Sequence, residues 1–312
     1  MRTFQPLDIV RCLAVGMNRF PNLAITSAGI RKPQSFYTLL LSVSRRRFQP
    51  SYRVGALTCV EMGSLQAVAA FRPRSGTRSW EVSHLYVTPD SGDALIALLE
   101  QAAAVSTYSG AERVFLRVEA DSDTIPTARR AGFFPCYRET LYRGQTTPSK
   151  SLRGLFDTNA HSVKRGSEHD QALFRLYNET TPLKVRQLAG MTLDQWKESR
   201  ETSIGRRRER VMEVDGTVRS WLATSMRSGV GRIDVVLHPD YAALAPDVID
   251  FALRPLRNPN SVVALVPDYV PLLGSYLEER GFRSEGEFAV LVKSTARMVR
   301  QPVTARASLA AE

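Results

Sequence analysis

The chain of 312 residues repeats one pattern of landmarks, and this repetition constrains its fold more than any other feature. An apolar run that ends in Pro-Asp occurs at 85–90 and again at 235–240. The proline of the first run lies 43 residues before Gly132, and that of the second lies 42 residues before Gly281; each glycine is followed by Phe. Two landmarks in one order at one spacing predict two tandem copies of one fold.

Hydrophobic periodicity predicts the same order of elements in both copies: a short strand, two helices, three antiparallel strands, then helix, strand, helix and strand. In the first copy the strands are predicted at 2–5, 53–60, 65–72, 79–87, 113–119 and 133–143, and the helices at 8–18, 34–45, 93–107 and 124–131. In the second copy the strands are predicted at 162–164, 207–214, 217–225, 231–237, 261–266 and 282–292, and the helices at 169–179, 192–202, 246–256 and 269–280.

This pattern predicts an α/β chain with domains at 1–143 and 158–293. The polar stretch at 144–157 has the composition of a linker between domains. Residues 294–312 are predicted to form a disordered tail.

Composition argues against several classes of protein. The apolar runs are far shorter than the roughly 18 residues that a membrane span needs, and Asp8 and Arg11 interrupt the segment where a signal peptide would be apolar. We therefore expect a cytoplasmic protein without a membrane partner. Cys12, Cys59 and Cys136 lack the spacing of metal ligands, so they are predicted to be buried small side chains, and no metal site is expected.

The net charge of +11 has two interpretations. It can indicate a phosphate-bearing partner such as nucleic acid or coenzyme A, or it can reflect an Arg-rich coding bias. The arginines are scattered except for the runs at 45–47 and 206–208. Nucleic-acid binding through these two runs is therefore the weakest of three functional hypotheses, and a nucleic-acid partner is not expected.

The element order, with Val87-Thr88-Pro89 closing the fourth strand and Ala131-Gly132-Phe133 after the last helix, resembles the GNAT superfamily of N-acetyltransferases. The resemblance covers nearly the whole chain, once in each copy. It implies two tandem GNAT-like domains of the α+β mixed-sheet kind. In each, a mostly antiparallel sheet flanked by helices contains a parallel pair, the fourth and fifth strands, that splays apart to hold acetyl-CoA.

The resemblance also implies which residues bind the co-substrate. Exposed backbone of the fourth strand would pair with the pantetheine, and amides of the loop before the next helix would bind the pyrophosphate. In the first copy these cofactor-binding positions are Leu85, Tyr86, Val87, Thr88, Gly92, Asp93 and Ala94. In the second copy the matching strand positions are 235–238. The implied partners are an acyl-CoA, with acetyl-CoA as co-substrate, and an unidentified amine.

Glu81, His84 and Tyr137 are the candidate catalytic residues. Glu81 lies on the fourth strand, where family members hold the carboxylate or bound water that deprotonates the amine. His84 could transfer protons near neutral pH, and Tyr137 could line the acceptor side. Each also has a purely structural interpretation: an ion pair with Arg, a lone buried histidine, or core packing. The matching strand positions of the second copy provide Asp234 and His238 as further candidates.

Both loops depart from the family pattern. The first contains one glycine, Gly92, and two acids within 90–94, and the second, 240–247, contains no glycine. A tyrosine that family members hold four residues before the glycine landmark is Ala128 in one copy and Leu277 in the other. The adjacent Tyr276 is expected to point about 100° away on its helix.

Two functional hypotheses therefore stand side by side. The first is an acyl-CoA-dependent N-acyltransferase in which an amine attacks the thioester directly, with the first copy preferred because it retains Gly92 and Glu81. The second is a catalytically inactive tandem module that binds a ligand or a protein partner, which the missing glycines favour.

Overall fold

The computed structural model describes residues 1–31, 34–48, 55–61, 64–89, 91–145, 160–201, 207–256 and 259–295. Met62 and Gly63 between two predicted strands, Asp90 of the first loop, Arg206, and most of the predicted linker and tail lie outside the described residues. The side chains of Arg45, Arg46 and Arg47 lie outside them too.

The described residues of the first half form six strands and five α-helices, largely in the order that the periodicity predicts. They are β1 (Arg2–Thr3), α1 (Pro6–Ala14), α2 (Ser27–Arg31), α3 (Phe36–Phe48), β2 (Gly55–Glu61), β3 (Ser64–Pro73), β4 (Ser79–Val87), α4 (Gly92–Tyr108), β5 (Arg113–Glu119), α5 (Thr124–Arg130) and β6 (Phe134–Gly144).

The second half repeats this order. Its elements are β7 (Ala160–Lys164), α6 (Asp170–Thr180), α7 (Leu183–Ala189), α8 (Leu193–Ser199), β8 (Arg207–Val214), β9 (Thr217–Arg227), β10 (Val230–Leu237), α9 (Ala245–Leu253), β11 (Ser261–Pro267), α10 (Pro271–Glu279) and β12 (Arg283–Ser294). A 3₁₀ helix, Pro239–Leu244, precedes α9. The short helices α2 and α7 were not predicted, and α4 begins at Gly92, so that Asp93 lies in its first turn instead of capping it.

The two glycine landmarks end the last helix of each half. Gly132 and Gly281 have φ values of +82° and +80°, a conformation that glycine adopts at little cost. The amide of Phe133 then donates to the carbonyl of Ala128 at 3.0 Å, which ends α5 and turns the chain into β6. These landmarks therefore recur because the helix-to-strand turn requires them.

The twelve strands of the described residues form one sheet in the order β1-β2-β3-β4-β5-β12-β6-β11-β10-β9-β8-β7. The last strands of the two halves are exchanged: β12 lies between β5 and β6, and β6 lies between β12 and β11, all antiparallel. Both neighbours of each final strand thus come from the other half. The two halves share a continuous sheet across the predicted domain boundary.

Each half packs helices against its own part of the sheet. In the first half, Leu95, Leu98, Leu99 and Ala102 form one face of α4 at helical spacing and are buried in the largest core cluster. In the second half, α9 and α10 contribute to a corresponding cluster. Within the described part of the chain, no helix is both long enough and apolar enough to span a membrane.

The parallel strand pairs separate along their length. Strands β4 and β5 pair only over 79–81 and 113–115, and β10 and β11 pair only over 230–233 and 261–264. Beyond these paired residues the two strands of each pair diverge. The gap between them is here called the splay. The mixed sheet with flanking helices and two splayed pairs confirms the predicted fold class.

Candidate functional site

A segment of the chain itself lies against β4 in the splay of the first half. The amide of Leu23 donates to the carbonyl of Leu85 at 2.9 Å. The side chain of Asn22 accepts from the Leu85 amide at 2.8 Å and donates to the carbonyl of Ser83 at 3.2 Å. The backbone groups of Leu85 are therefore already paired within the chain.

The same segment also reaches the opposite strand of the first splay. The amide of Ile25 donates to the carbonyl of Arg117 on β5 at 2.8 Å, and the side chain of Ala24 is buried in the main core. Residues 22–25 thus bridge β4 and β5. They occupy the edge of β4 that the resemblance assigned to pantetheine.

The cofactor-binding residues predicted in the first half differ in exposure. Leu85 and Tyr86 are fully buried, and Ala94 packs in the core, with Val87 packed against it. The hydroxyl of Thr88 is hydrogen-bonded to Gln66. A Cβ added at Gly92 would meet open space, and the carboxylate of Asp93 is exposed, 3.6 Å from Arg130. Their role in binding acetyl-CoA stays a prediction.

Of the predicted catalytic residues, Glu81 and His84 lie on β4 and line none of the described cavities. Glu81 is buried and pairs with Arg72 at 2.7 Å and with Arg74 at 3.3 Å. His84 is held between the hydroxyls of Thr38 and Ser83, at 3.1 and 3.2 Å. Burial, assisted by the nearby Arg72, lowers the pKa of His84 to about 3, so its imidazole is neutral at physiological pH.

The third predicted residue, Tyr137, lies on the exchanged strand β6 and faces a cavity of the second half. Burial raises the pKa of Tyr137 well above its usual value, so its hydroxyl stays protonated. The structure therefore does not bring Glu81, His84 and Tyr137 together in one described cavity.

The splay of the second half leaves backbone groups of β10 unpaired. The amide of His238 donates to the carbonyl of Arg219 on β9 at 2.9 Å. Hydrogen-bonded pairs alternate along an antiparallel ladder, so the backbone groups of Val235 and Leu237 point away from β9, toward the splay. Among the described residues, nothing hydrogen-bonds to these groups on that side. Val235 is the counterpart of Leu85.

Two cavities flank this edge. A cavity of about 280 Å³, here called the polar cavity, is lined by buried arginines and carboxylates and by aromatic rings. The rings belong to Tyr137, Tyr177, Trp196, Trp221 and Tyr269. Because Arg74, Arg117, Tyr137 and Glu139 belong to the first half, the exchanged topology builds this cavity from both halves.

A second cavity of about 190 Å³, here called the apolar cavity, lies at the carboxyl end of β10. Leu237 and Pro239 form one wall, Ala242 and Ala245 another, and Leu273 contributes from α10. Thr180 and Tyr269 line both cavities. The two cavities therefore meet at these two side chains.

Tyr276 also lines the apolar cavity, a position that the sequence did not predict for it. Its neighbour Leu277 is fully buried in the core, so the 100° rotation between them directs Tyr276, and not Leu277, to the cavity.

Tyr269 is a polar residue at the junction that sequence reasoning missed. It lies just after β11, and its ring packs edge-on against Tyr137 with centroids 5.9 Å apart. Burial raises the pKa of Tyr269 above its usual value of about 10, so the hydroxyl remains a proton donor at neutral pH. No motif marks this residue in the sequence; only the splay shows it.

Buried ion pairs cross the inner wall of the polar cavity. Arg117 pairs with Glu139 and Glu201, and Arg74 lies 3.7 Å from Glu201. Burial alone would raise the pKa of Glu201, but neighbouring guanidinium groups outweigh it and hold that pKa below its usual value. Burial raises the pKa of Glu139 in spite of its arginine partner.

Asp234 is the carboxylate closest in sequence to the unpaired edge of β10. It lines the polar cavity and accepts from Arg232 at 2.8 Å, with Arg207 at 3.8 Å. Arg207 belongs to one of the two arginine runs, and here it faces the cavity, whereas Arg208 is exposed. Within the described residues, no cluster of His, Cys, Asp and Glu is arranged to hold a metal ion.

The loop before α9 has no glycine. It forms the 3₁₀ helix Pro239–Leu244, whose start is capped by His238: the ring nitrogen Nδ1 accepts from the amide of Asp240 at 3.2 Å. His238 therefore has a structural role at the end of β10. Because the amide of Asp240 donates to this cap, it is not free for a pyrophosphate.

Solved structures with the same fold provide the comparison. A GCN5-related N-acetyltransferase from Sphaerobacter thermophilus has a TM-score of 0.52 and 14% identity, with 94% of each chain covered. A conserved protein of unknown function from Staphylococcus epidermidis has a TM-score of 0.53 and 12% identity, with 77% of this chain and 95% of that chain covered. A Drosophila protein has a TM-score of 0.50 and 12% identity, with 95% and 98% covered.

No protein-family model matches the chain, and no curated protein sequence matches it. At these identities the structural likeness establishes the fold alone. The chain has the fold of the GCN5-related N-acetyltransferases.

Proposed function

We propose that this chain, which has the fold of the GCN5-related N-acetyltransferases, is an acyl-CoA-dependent N-acyltransferase whose working site lies in its second half. Acetyl-CoA is the proposed co-substrate and a small amine the proposed acceptor. The sequence alone favours a site in the first half; the proposal places the site in the second half instead.

The observation that carries the proposal is the difference between the two splays. In the first, the groups of Leu85 are paired with Asn22 and Leu23. In the second, the groups of Val235 and Leu237 have no such partners among the described residues, and two cavities flank them. An extended polar chain such as pantetheine could pair with this edge as an added strand does.

In the proposed transfer each group has a role. The amine nitrogen in the polar cavity attacks the thioester carbonyl carbon, so that a C–N bond forms and the C–S bond breaks. Asp234 is the proposed acceptor of the proton that the amine loses. Tyr269, where the cavities meet, is the proposed donor of a proton to the departing thiolate.

A non-catalytic ligand-binding module is the second candidate, and the loop before α9 favours it. The 3₁₀ helix Pro239–Leu244 lacks glycine and holds the exposed acid Asp240 where a pyrophosphate would approach. A negative charge there opposes phosphate binding. This candidate predicts occupation of the cavities without acyl transfer.

Calorimetric titration of acetyl-CoA into two matched variants tests the proposal. Ala242→Trp fills the apolar cavity of the second half, and Gly92→Trp places the same side chain at the same distance after the proline in the first half. We expect Ala242→Trp to weaken binding at least about tenfold, which corresponds to roughly 1.4 kcal/mol, and Gly92→Trp to leave it unchanged.

The outcomes separate the candidates. Binding that only Gly92→Trp removes would return the site to the first half. Binding in the second half with no thiol release for any amine would support the ligand-binding module. The absence of any binding at millimolar acetyl-CoA would end the acyltransferase proposal.

A further inference from the structure

The charges around the polar cavity are unevenly distributed. The inner cluster is balanced, with three guanidinium groups against three carboxylates: Arg72, Arg74, Arg117, Glu81, Glu139 and Glu201. The outer cluster holds four guanidinium groups against two carboxylates: Arg31, Arg200, Arg207, Arg232, Glu209 and Asp234. The two clusters touch where Arg232 lies 3.7 Å from Glu201.

Glu201 of the inner cluster lies beside the outer cluster, 3.7 Å from Arg232, but it already pairs with Arg117. The sequence between Glu201 and Arg207, Thr-Ser-Ile-Gly-Arg, contains no carboxylate. With Glu201 counted in the inner cluster, the outer cluster carries two positive charges in excess. Buried cations in excess are costly unless an anion joins them. Burial and the guanidinium of Arg232 lower the pKa of Arg31 to about 10, which agrees with an uncompensated positive field.

Arg200 and Arg207 line the polar cavity, and each guanidinium has N–H groups that do not take part in a described hydrogen bond. Arg200 donates to Glu209 at 2.8 Å, and Arg207 lies 3.1 Å from Glu209 and 3.8 Å from Asp234. Glu209 also accepts from the indole of Trp221 at 3.0 Å. Among the described residues, Glu209 is the sole hydrogen-bond partner of the Arg200 guanidinium, whose remaining N–H groups are open to another acceptor.

Aromatic rings hold these two guanidinium groups in place. Arg200 lies over the rings of Trp196 and Trp221, at 5.6 and 5.2 Å, and Arg207 lies over Trp221 at 5.3 Å. Cation–π contacts favour these positions of the two guanidinium groups, and a guanidinium can bind a carboxylate through two parallel N–H groups. The nearby acids Asp234 and Glu201 disfavour a doubly charged phosphate in so small a cavity.

We propose that the acceptor is an amine that also carries a carboxylate, as an amino acid does, and that Arg200 and Arg207 bind that carboxylate. The inference rests on the proposed function for the acceptor role, but the anion subsite stands on its own geometry. The carboxylates of the cavity would attract the ammonium end of the same molecule, so both ends of a zwitterion find a partner.

The test uses benzoate and benzamide as probes, because they have nearly the same shape and differ in charge. Calorimetry on the full chain is expected to give at least about tenfold tighter binding of benzoate, a difference of roughly 1.4 kcal/mol. Arg200→Gln and Arg207→Gln are each expected to abolish this preference. Arg208→Gln, with the same charge change on an exposed neighbour outside the polar cavity, is expected to leave it intact.

Equal affinity of benzoate and benzamide for the unaltered chain, or no binding of either, would overturn the proposal, even where acetyl-CoA binds. A preference that survives both cavity variants would overturn the assignment to Arg200 and Arg207. Selective binding of benzoate in a chain that does not bind acetyl-CoA would support the anion subsite and contradict the acyltransferase function, so the two failures are distinguishable.

Discussion

The proposed proton donor, Tyr269, is the single side chain on which the proposed acyl transfer depends most. It touches both cavities, and burial keeps its hydroxyl protonated. Tyr269→Phe should lower kcat by about 100-fold, the usual contribution of a positioned acid, with little change in acetyl-CoA affinity. Because its pKa is raised, Tyr269 should cause no loss of kcat between pH 7 and 9. Thiol release followed across this pH range measures both effects.

Tyr276→Phe is the matched control, since it removes the other hydroxyl-bearing ring of the apolar cavity. We expect kcat to stay within about twofold. A larger loss in Tyr276→Phe than in Tyr269→Phe would transfer the proton-donor role to Tyr276.

Among the elements, the bridging segment 22–25 occupies the gap between β4 and β5 in the first half. The Asn22 side chain pairs with backbone groups of Ser83 and Leu85 inside the protein. Asn22→Ala should lower the free energy of unfolding by about 1–3 kcal/mol, because it leaves a buried amide unpaired. Denaturant unfolding measures this, with the exposed Asn18→Ala as control. A cost below about 0.5 kcal/mol would show that the segment is not held by this side chain.

The element pattern could be predicted from the sequence because strands and helices have periods of 2 and 3.6, and because Gly132 and Gly281 mark equivalent turns. The filling of the first splay could not be predicted from the sequence. The segment Asn-Leu-Ala-Ile at 22–25 shows no hydrophobic periodicity, and it pairs with strands some 60 to 90 residues away. The sequence-based preference for the first half therefore rested on Gly92, Glu81 and the Gly132-Phe133 segment, and Tyr269 was not identified.

At the scale of the whole molecule, the exchanged strands make the halves depend on each other. Sequence gives no sign of the exchange, because β6 and β12 occupy equivalent places in the repeat and either could pair locally. In the structure each has both its neighbours in the other half. The polar cavity depends on this exchange, since Tyr137 and Glu139 reach it on β6.

Separate expression of 1–145 and 160–295 should therefore give fragments with unpaired strand edges that aggregate or unfold. Mixing the fragments during refolding should restore a single 1:1 complex. Size-exclusion chromatography with circular dichroism measures this. A monomeric 1–145 fragment that unfolds cooperatively on its own would contradict the exchanged topology.

We propose that the second splay is open to an extended ligand, whereas the chain itself fills the first. Hydrogen exchange of the backbone amides with and without saturating acetyl-CoA tests this difference. We expect the amide of Leu85 to be protected in both states. We expect the amides of Val235 and Leu237 to exchange fast without the ligand and to become protected with it. Ligand-induced protection on β4 with none on β10 would contradict the proposal.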